Sequence, residues 1–144
     1  MGDFSARLLL ARVGDIVVAM DAAAVREIVG RQAVTRIPGA PPVVRGMINV
    51  RGELVTLLQG ALLLGRAGDA SSDDTVVLMR WRGKAVAVIV DEVVDLVSVP
   101  DVQLTGREEL PGIDPALVRA VGMHAEQAFL VLDLDAVFEP LLAA

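Results

Sequence analysis

Apolar residues in this chain are gathered into short runs, at 8–11, 16–20, 54–58, 76–79, 85–90, 93–99 and 129–132, rich in Val, Leu and Ile. Runs of this length, closed by glycine, proline or charge, read as strands, because a helix needs a longer stretch with a 3.6-residue period to hold an apolar face. Turn signals lie between them, as in Val13-Gly14-Asp15 and Arg82-Gly83-Lys84. The expected fold is mainly all-β, a barrel or a sandwich, with a few short helices. Asp21 is placed to cap a short helix over 22–27, and Asp114 precedes Pro115 in the same way, with proline at the first helical position. A terminal helix is expected over 133–142, with Leu134, Val137 and Phe138 on one face.

Residues 66–74 are small and polar and join two apolar segments, which makes them the best internal boundary. The two sides are alike. Gly14-Asp15-Ile16-Val17-Val18-Ala19-Met20-Asp21 matches Gly83-Lys84-Ala85-Val86-Ala87-Val88-Ile89-Val90-Asp91 in its glycine, apolar strand and terminal aspartate. An apolar-acidic stretch follows each, then a Gly-Met pair (Gly46-Met47, Gly122-Met123), then another strand. The pattern predicts one domain over 1–144 built from two similar β-barrel subdomains that meet near 66–75.

Composition narrows the function. The charge-free run 54–65 is interrupted by Thr56, Gln59 and Gly60 and is far shorter than the roughly 20 residues of a spanning helix, so no membrane insertion is expected. The apolar run at 8–11 is too short for a signal-peptide core. There is no cysteine, and the formal charge of −6 opposes binding to phosphate backbones, so no nucleic-acid partner is expected. His124 is the only histidine and reads as a solvated turn residue; Ser5, Ser71, Ser72 and Ser98 sit on no nucleophile elbow. The acid pairs Asp73-Asp74 and Asp91-Glu92 lack neighbours that would complete a coordination sphere. A hydrolase using Asp91 and Glu92, or a nucleic-acid-binding barrel with a basic aromatic stripe, are the rival readings, and both lack the expected surroundings. The sequence fits a binding module without catalytic residues, metal or cofactor.

The stretch 25–52 carries the most specific signal. It contains Val25-Arg26-Glu27-Ile28, then Thr35-Arg36-Ile37-Pro38-Gly39-Ala40-Pro41, then Gly46-Met47-Ile48-Asn49-Val50-Arg51-Gly52. In order and spacing it resembles the CheW family of bacterial chemotaxis coupling proteins. The likeness continues through Val88-Ile89-Val90-Asp91-Glu92-Val93 and Val97-Ser98-Val99-Pro100 to Gly122-Met123 and the last strand. The resemblance implies two intertwined five-stranded SH3-like β-barrels. It also implies a non-catalytic cytoplasmic scaffold at chemoreceptor arrays. Its partners would be the cytoplasmic tip of methyl-accepting chemoreceptors, a CheA-type histidine kinase regulatory domain and other CheW-like proteins. By the same resemblance, Val25, Glu27, Gly46, Asn49, Arg51 and Gly52 are the receptor-binding residues.

The residues themselves suggest how. Val25 offers an apolar contact and Ile28 is expected to pack inward. Glu27 can accept from a partner's Arg or Asn. Gly52 can take a positive φ, Asn49 can tie the turn to its side chain, and Arg51 would then point its planar guanidinium at a receptor carboxylate. One region departs from the family pattern: Thr56-Leu57-Leu58-Gln59-Gly60-Ala61, where the usual capping Asp is Gln59 and Gly60 weakens the first helical turn. Thr56, Gln59, Gly60 and Ala61 therefore mark an altered, and by this reading kinase-facing, element that is shortened, reshaped or lost. A member so altered could be a receptor-side accessory that modulates the array without binding the kinase.

Overall fold

The apolar runs lie on strands in the computed structural model, which describes residues 7–66, 75–99, 103–106 and 112–142. In chain order the strands are β1 (Arg7–Val13), β2 (Ile16–Asp21), β3 (Val25–Val29), β4 (Val44–Val50), β5 (Glu53–Gln59), β6 (Thr75–Trp81), β7 (Lys84–Val90), β8 (Glu92–Ser98), β9 (Gln103–Gly106), β10 (Val118–His124) and β11 (Gln127–Leu132). Two α-helices are described, α1 (Gly60–Leu63) and α2 (Leu134–Leu142). The first sheet has the order β8-β1-β2-β11-β10-β9 and the second β3-β6-β7-β5-β4. The all-β fold with two sheets is as expected; the short β9 adds a sixth strand to the first.

Side-chain alternation explains why several runs are apolar without interruption. Successive residues of a strand point to opposite faces. On β1, Leu8 and Leu10 join a cluster made only of first-sheet residues, with Val17, Ala19, Phe129 and Val131. Leu9, Ala11 and Val13 face the other way, into a cluster shared with the second sheet. The second sheet repeats the scheme: Val76, Leu78, Ala87 and Ile89 fill its own interior, while Val77, Met79, Val86 and Val88 face the shared core. Each barrel thus has a private core, and a third core lies between them. A strand buried on both faces has no position for a polar residue, hence the unbroken runs.

The strands are exchanged between the two sides of the boundary at 66–75. The first sheet takes β1 and β2 from the start of the chain and β8–β11 from its end; the second takes β3–β5 and then β6 and β7. The pairings correspond. β2 runs parallel to β11 as β7 runs parallel to β5, and β8 lines β1 as β3 lines β6. Residues 67–74, which hold Ser71, Ser72 and the acid pair Asp73-Asp74, lie outside the described residues, as does Ser5.

The helices differ in part from expectation. Asp21 accepts from the Ala23 amide at 2.9 Å and caps only the 3-10 turn Ala22–Ala24; Val25 and Glu27 belong to β3. Pairing to β6 wins there over local helix propensity. Asp114 caps the 3-10 turn Pro115–Leu117. In α2, Val137 and Phe138 are buried as expected, and Asp133 accepts from the Ala136 amide at its start. The Trp81 indole nitrogen donates to Asp135 at 2.8 Å, and Arg82 stacks over the Trp81 ring while bonding Glu139, so α2 is tied to the β6–β7 hairpin.

Candidate functional site

The turn after β4 is built by three residues. Arg51 (φ 51°) and Gly52 (φ 88°) both lie in the left-handed region, the geometry of a tight two-residue hairpin, and the Asn49 Oδ1 accepts from the Gly52 amide at 2.8 Å. This is the role expected of Asn49 and Gly52; Arg51 shares the strained conformation. The Arg51 Nη2 donates to both Glu27 oxygens, at 2.6 and 2.7 Å. Hydrogen bonding to Glu27, reinforced by its charge, raises the Arg51 pKa above its ordinary value. Two residues expected to meet a partner separately are therefore joined to each other, across the gap between the two edge strands of the second sheet.

Around the pair lies a cleft of about 350 Å³ lined by residues of all five strands of the second sheet, β3 to β7. Within it Arg80 bonds Glu53 at 3.2 Å and the Gly83 carbonyl at 3.1 Å, which fixes a second ion pair beside the first. Arg80 and Glu53 were not singled out by sequence reasoning, because an arginine and a glutamate 27 positions apart carry no local signature.

Val25 is half-buried and packs against the shared core. Ile28 does not pack inward as expected: it is 45% exposed. A bulge between Val25 and Glu27 shifts the register against β6 and re-aims the residues that follow.

Gly46 permits a close approach. Its φ is 146°, and a Cβ there would stand 2.3 Å from the Thr35 carbonyl oxygen. Thr35 and Met47 exchange two backbone hydrogen bonds of 2.8 Å at this point, pinning the 30–43 connection to β4. Gly46→Ala is expected to release that connection. Amide exchange at Thr35 and Met47 should accelerate while β6 and β7 stay protected.

The altered region is folded and mostly buried. Gln59 is 5% exposed, and its Oε1 accepts from the Ala61 amide at 3.3 Å, so it does cap a single turn, α1. Gly60 meets the β7 backbone: a Cβ would lie 2.4 Å from the Ile89 carbonyl oxygen. Ala61 is buried, and the Thr56 hydroxyl, part-buried, lies 3.6 Å from the Met47 sulfur. None of Gln59, Gly60 and Ala61 presents a side chain to a partner. The neighbouring Leu57 and Leu62 instead line a groove of about 630 Å³ beneath the 30–43 connection.

His124, expected on a solvated turn, ends β10 and bonds Asp95 of β8 at 2.8 Å, which lowers the Asp95 pKa. Asp91 accepts from the Gly14 amide at 2.7 Å and Glu92 pairs with Arg12 at 3.0 Å, so both acids tie elements together. Among the described residues no group of three His, Asp or Glu is placed to hold a metal ion, and no helix is long and apolar enough to cross a membrane.

The family model for the CheW-like domain matches residues 7–141. The chain belongs to the CheW-like domain family. It is 28% identical over 133 residues to the chemotaxis protein CheW of Rhizobium meliloti (strain 1021), covering 91% of this chain and 86% of that protein. It is 26% identical over 145 residues to the chemotaxis protein CheW of Treponema pallidum (strain Nichols), covering 96% and 85%. The crystal structure of the scaffolding protein TtCheW from Thermoanaerobacter tengcongensis has the same fold, with a TM-score of 0.83, 21% sequence identity and 92% of each chain covered. The CheW fold thus accounts for both barrels and for the order of the motifs along the chain.

Proposed function

We propose that this chain is a non-catalytic adaptor of a bacterial chemosensory system, acting in the cytoplasm at receptor arrays. It binds the cytoplasmic tip of chemoreceptors and couples them to a CheA-type histidine kinase. The observation that carries the reading is the Glu27–Arg51 pair, held at a barrel mouth by the Asn49-Gly52 turn, with Arg51 exposed and Glu27 half-buried. An adaptor also needs a second surface, and the groove under the 30–43 connection shares no lining residue with the cleft.

The alternative, an accessory that occupies receptor tips without the kinase, drew on Gln59 and Gly60. Their burial in a capped turn favours the ordinary adaptor. Calorimetric titration with the kinase regulatory domain separates the two: micromolar or tighter binding fits the adaptor, and no binding with receptor contact intact fits the accessory.

Arg51→Glu is expected to abolish co-sedimentation with receptor cytoplasmic fragments while far-UV circular dichroism stays unchanged. The substitution keeps a non-glycine residue at the turn and touches no core side chain. Unchanged co-sedimentation removes Arg51 from the interface. The exchanged pair Glu27→Arg with Arg51→Glu distinguishes a latch from a contact: restored binding means the pair only closes the barrel mouth, and continued loss means a receptor carboxylate meets position 51.

A further inference from the structure

Charge is unevenly placed in this chain. Residues 28–52 contain Arg31, Arg36, Arg45 and Arg51 and no Asp or Glu, although the whole chain is −6. Among the described residues five arginines form ion pairs within the chain: Arg12 with Glu92, Arg51 with Glu27, Arg66 with Asp15, Arg80 with Glu53, and Arg82 with Asp135 and Glu139; Arg7, Arg31 and Arg119 are also engaged. Arg36 and Arg45 have no such bond, and both line the 630 Å³ groove. The rest of that lining is apolar: Val34 and Ile37 (each 40% exposed), Pro41, Pro42 and Val44 among it. No acidic residue lines it.

We infer that this groove docks an apolar segment of a second protein that carries carboxylates, with Arg36 and Arg45 as the residues that select its charge. Two free guanidiniums beside an apolar floor match a segment whose leucine- or valine-like side chains fill the groove while its acids pair at the rim. In a chain of opposite overall charge they also orient the approach of such a partner. Among its described residues, a second copy of this chain offers a poor occupant. Its described acidic segments next to exposed apolar residues have committed carboxylates: Asp95, between Val94 and Leu96, is held by His124 and the Leu96 amide, and Glu53, before Leu54, is held by Arg80. Nucleic acid is poorer still, since the lining holds no aromatic side chain. The inference deepens the adaptor reading by giving its second surface a chemistry.

The test uses the full 15N-labelled chain and two end-capped synthetic peptides, one alternating leucine with glutamate and one alternating leucine with lysine. The glutamate peptide is expected to shift amides around Val34, Ile37, Val44 and Arg45 saturably, with an affinity that falls as salt rises; the lysine peptide should leave them in place. The Arg36→Glu, Arg45→Glu double variant should invert the preference, and Arg36→Gln, Arg45→Gln should weaken glutamate-peptide binding by roughly tenfold without inverting it. Both arginines lie outside the core, so the variants are expected to fold. Equal binding of both peptides, shifts centred on the Arg51 cleft, or groove shifts produced by concentrating the chain alone would each overturn the inference. Receptor co-sedimentation through Arg51 reads the adaptor proposal separately.

Discussion

Phe138→Ala is expected to lower the unfolding free energy by about 3–5 kcal/mol, the range for truncating a fully buried aromatic side chain. Phe138 is 1% exposed and lies in the shared core, with its ring edge-on to Trp81 at 6.1 Å between centroids. The truncation also weakens the docking of α2, whose polar ties to the hairpin through Asp135 and Glu139 are partly exposed and cannot offset the lost apolar contact. Urea unfolding reads the effect directly. A drop of less than about 1 kcal/mol would mean the space is refilled by neighbours and that α2 contributes little to joining the sheets.

The second large effect reverses the sign that local propensity gives. Alanine at a helical glycine position ordinarily stabilises by about 1 kcal/mol. At Gly60 the added Cβ meets the Ile89 carbonyl oxygen of β7, and β7 is hydrogen-bonded on both sides, to β6 and β5, so it cannot step back. Gly60→Ala is therefore expected to destabilise by about 3 kcal/mol, as overpacking of a rigid site does. An unchanged or raised midpoint in thermal or urea unfolding would refute the close approach.

Gly60 also marks the limit of what was legible in the sequence. The strand runs, the Asp21 and Asp114 caps, the terminal helix and the Asn49-Gly52 turn depend on neighbours in sequence, and all could be read there. The exchange of strands between sheets could not, because pairings such as β2 with β11 depend on partners more than a hundred positions apart. A glycine that a helix rule counts as a defect is required by a carbonyl 29 positions away. Likewise Glu27 and Arg51 were both visible as candidates, but their mutual pairing across 24 positions was not. The groove has no local signature beyond the Thr35-Arg36-Ile37-Pro38 motif; the acid-free stretch 28–52 is the sequence signal that could have found it.

The strand exchange sets an order of completion as the chain is synthesised. By residue 90 every strand of the second sheet has been made, and that sheet can close around its own core. The β1–β2 hairpin, made first, must wait for β8, β10 and β11 before its own barrel exists. The face that looks into its own barrel, Leu8, Leu10, Val17 and Ala19, stays uncovered longest. Cleavage within 67–74 would leave neither piece with all the strands of either sheet, so neither half could close a barrel core alone.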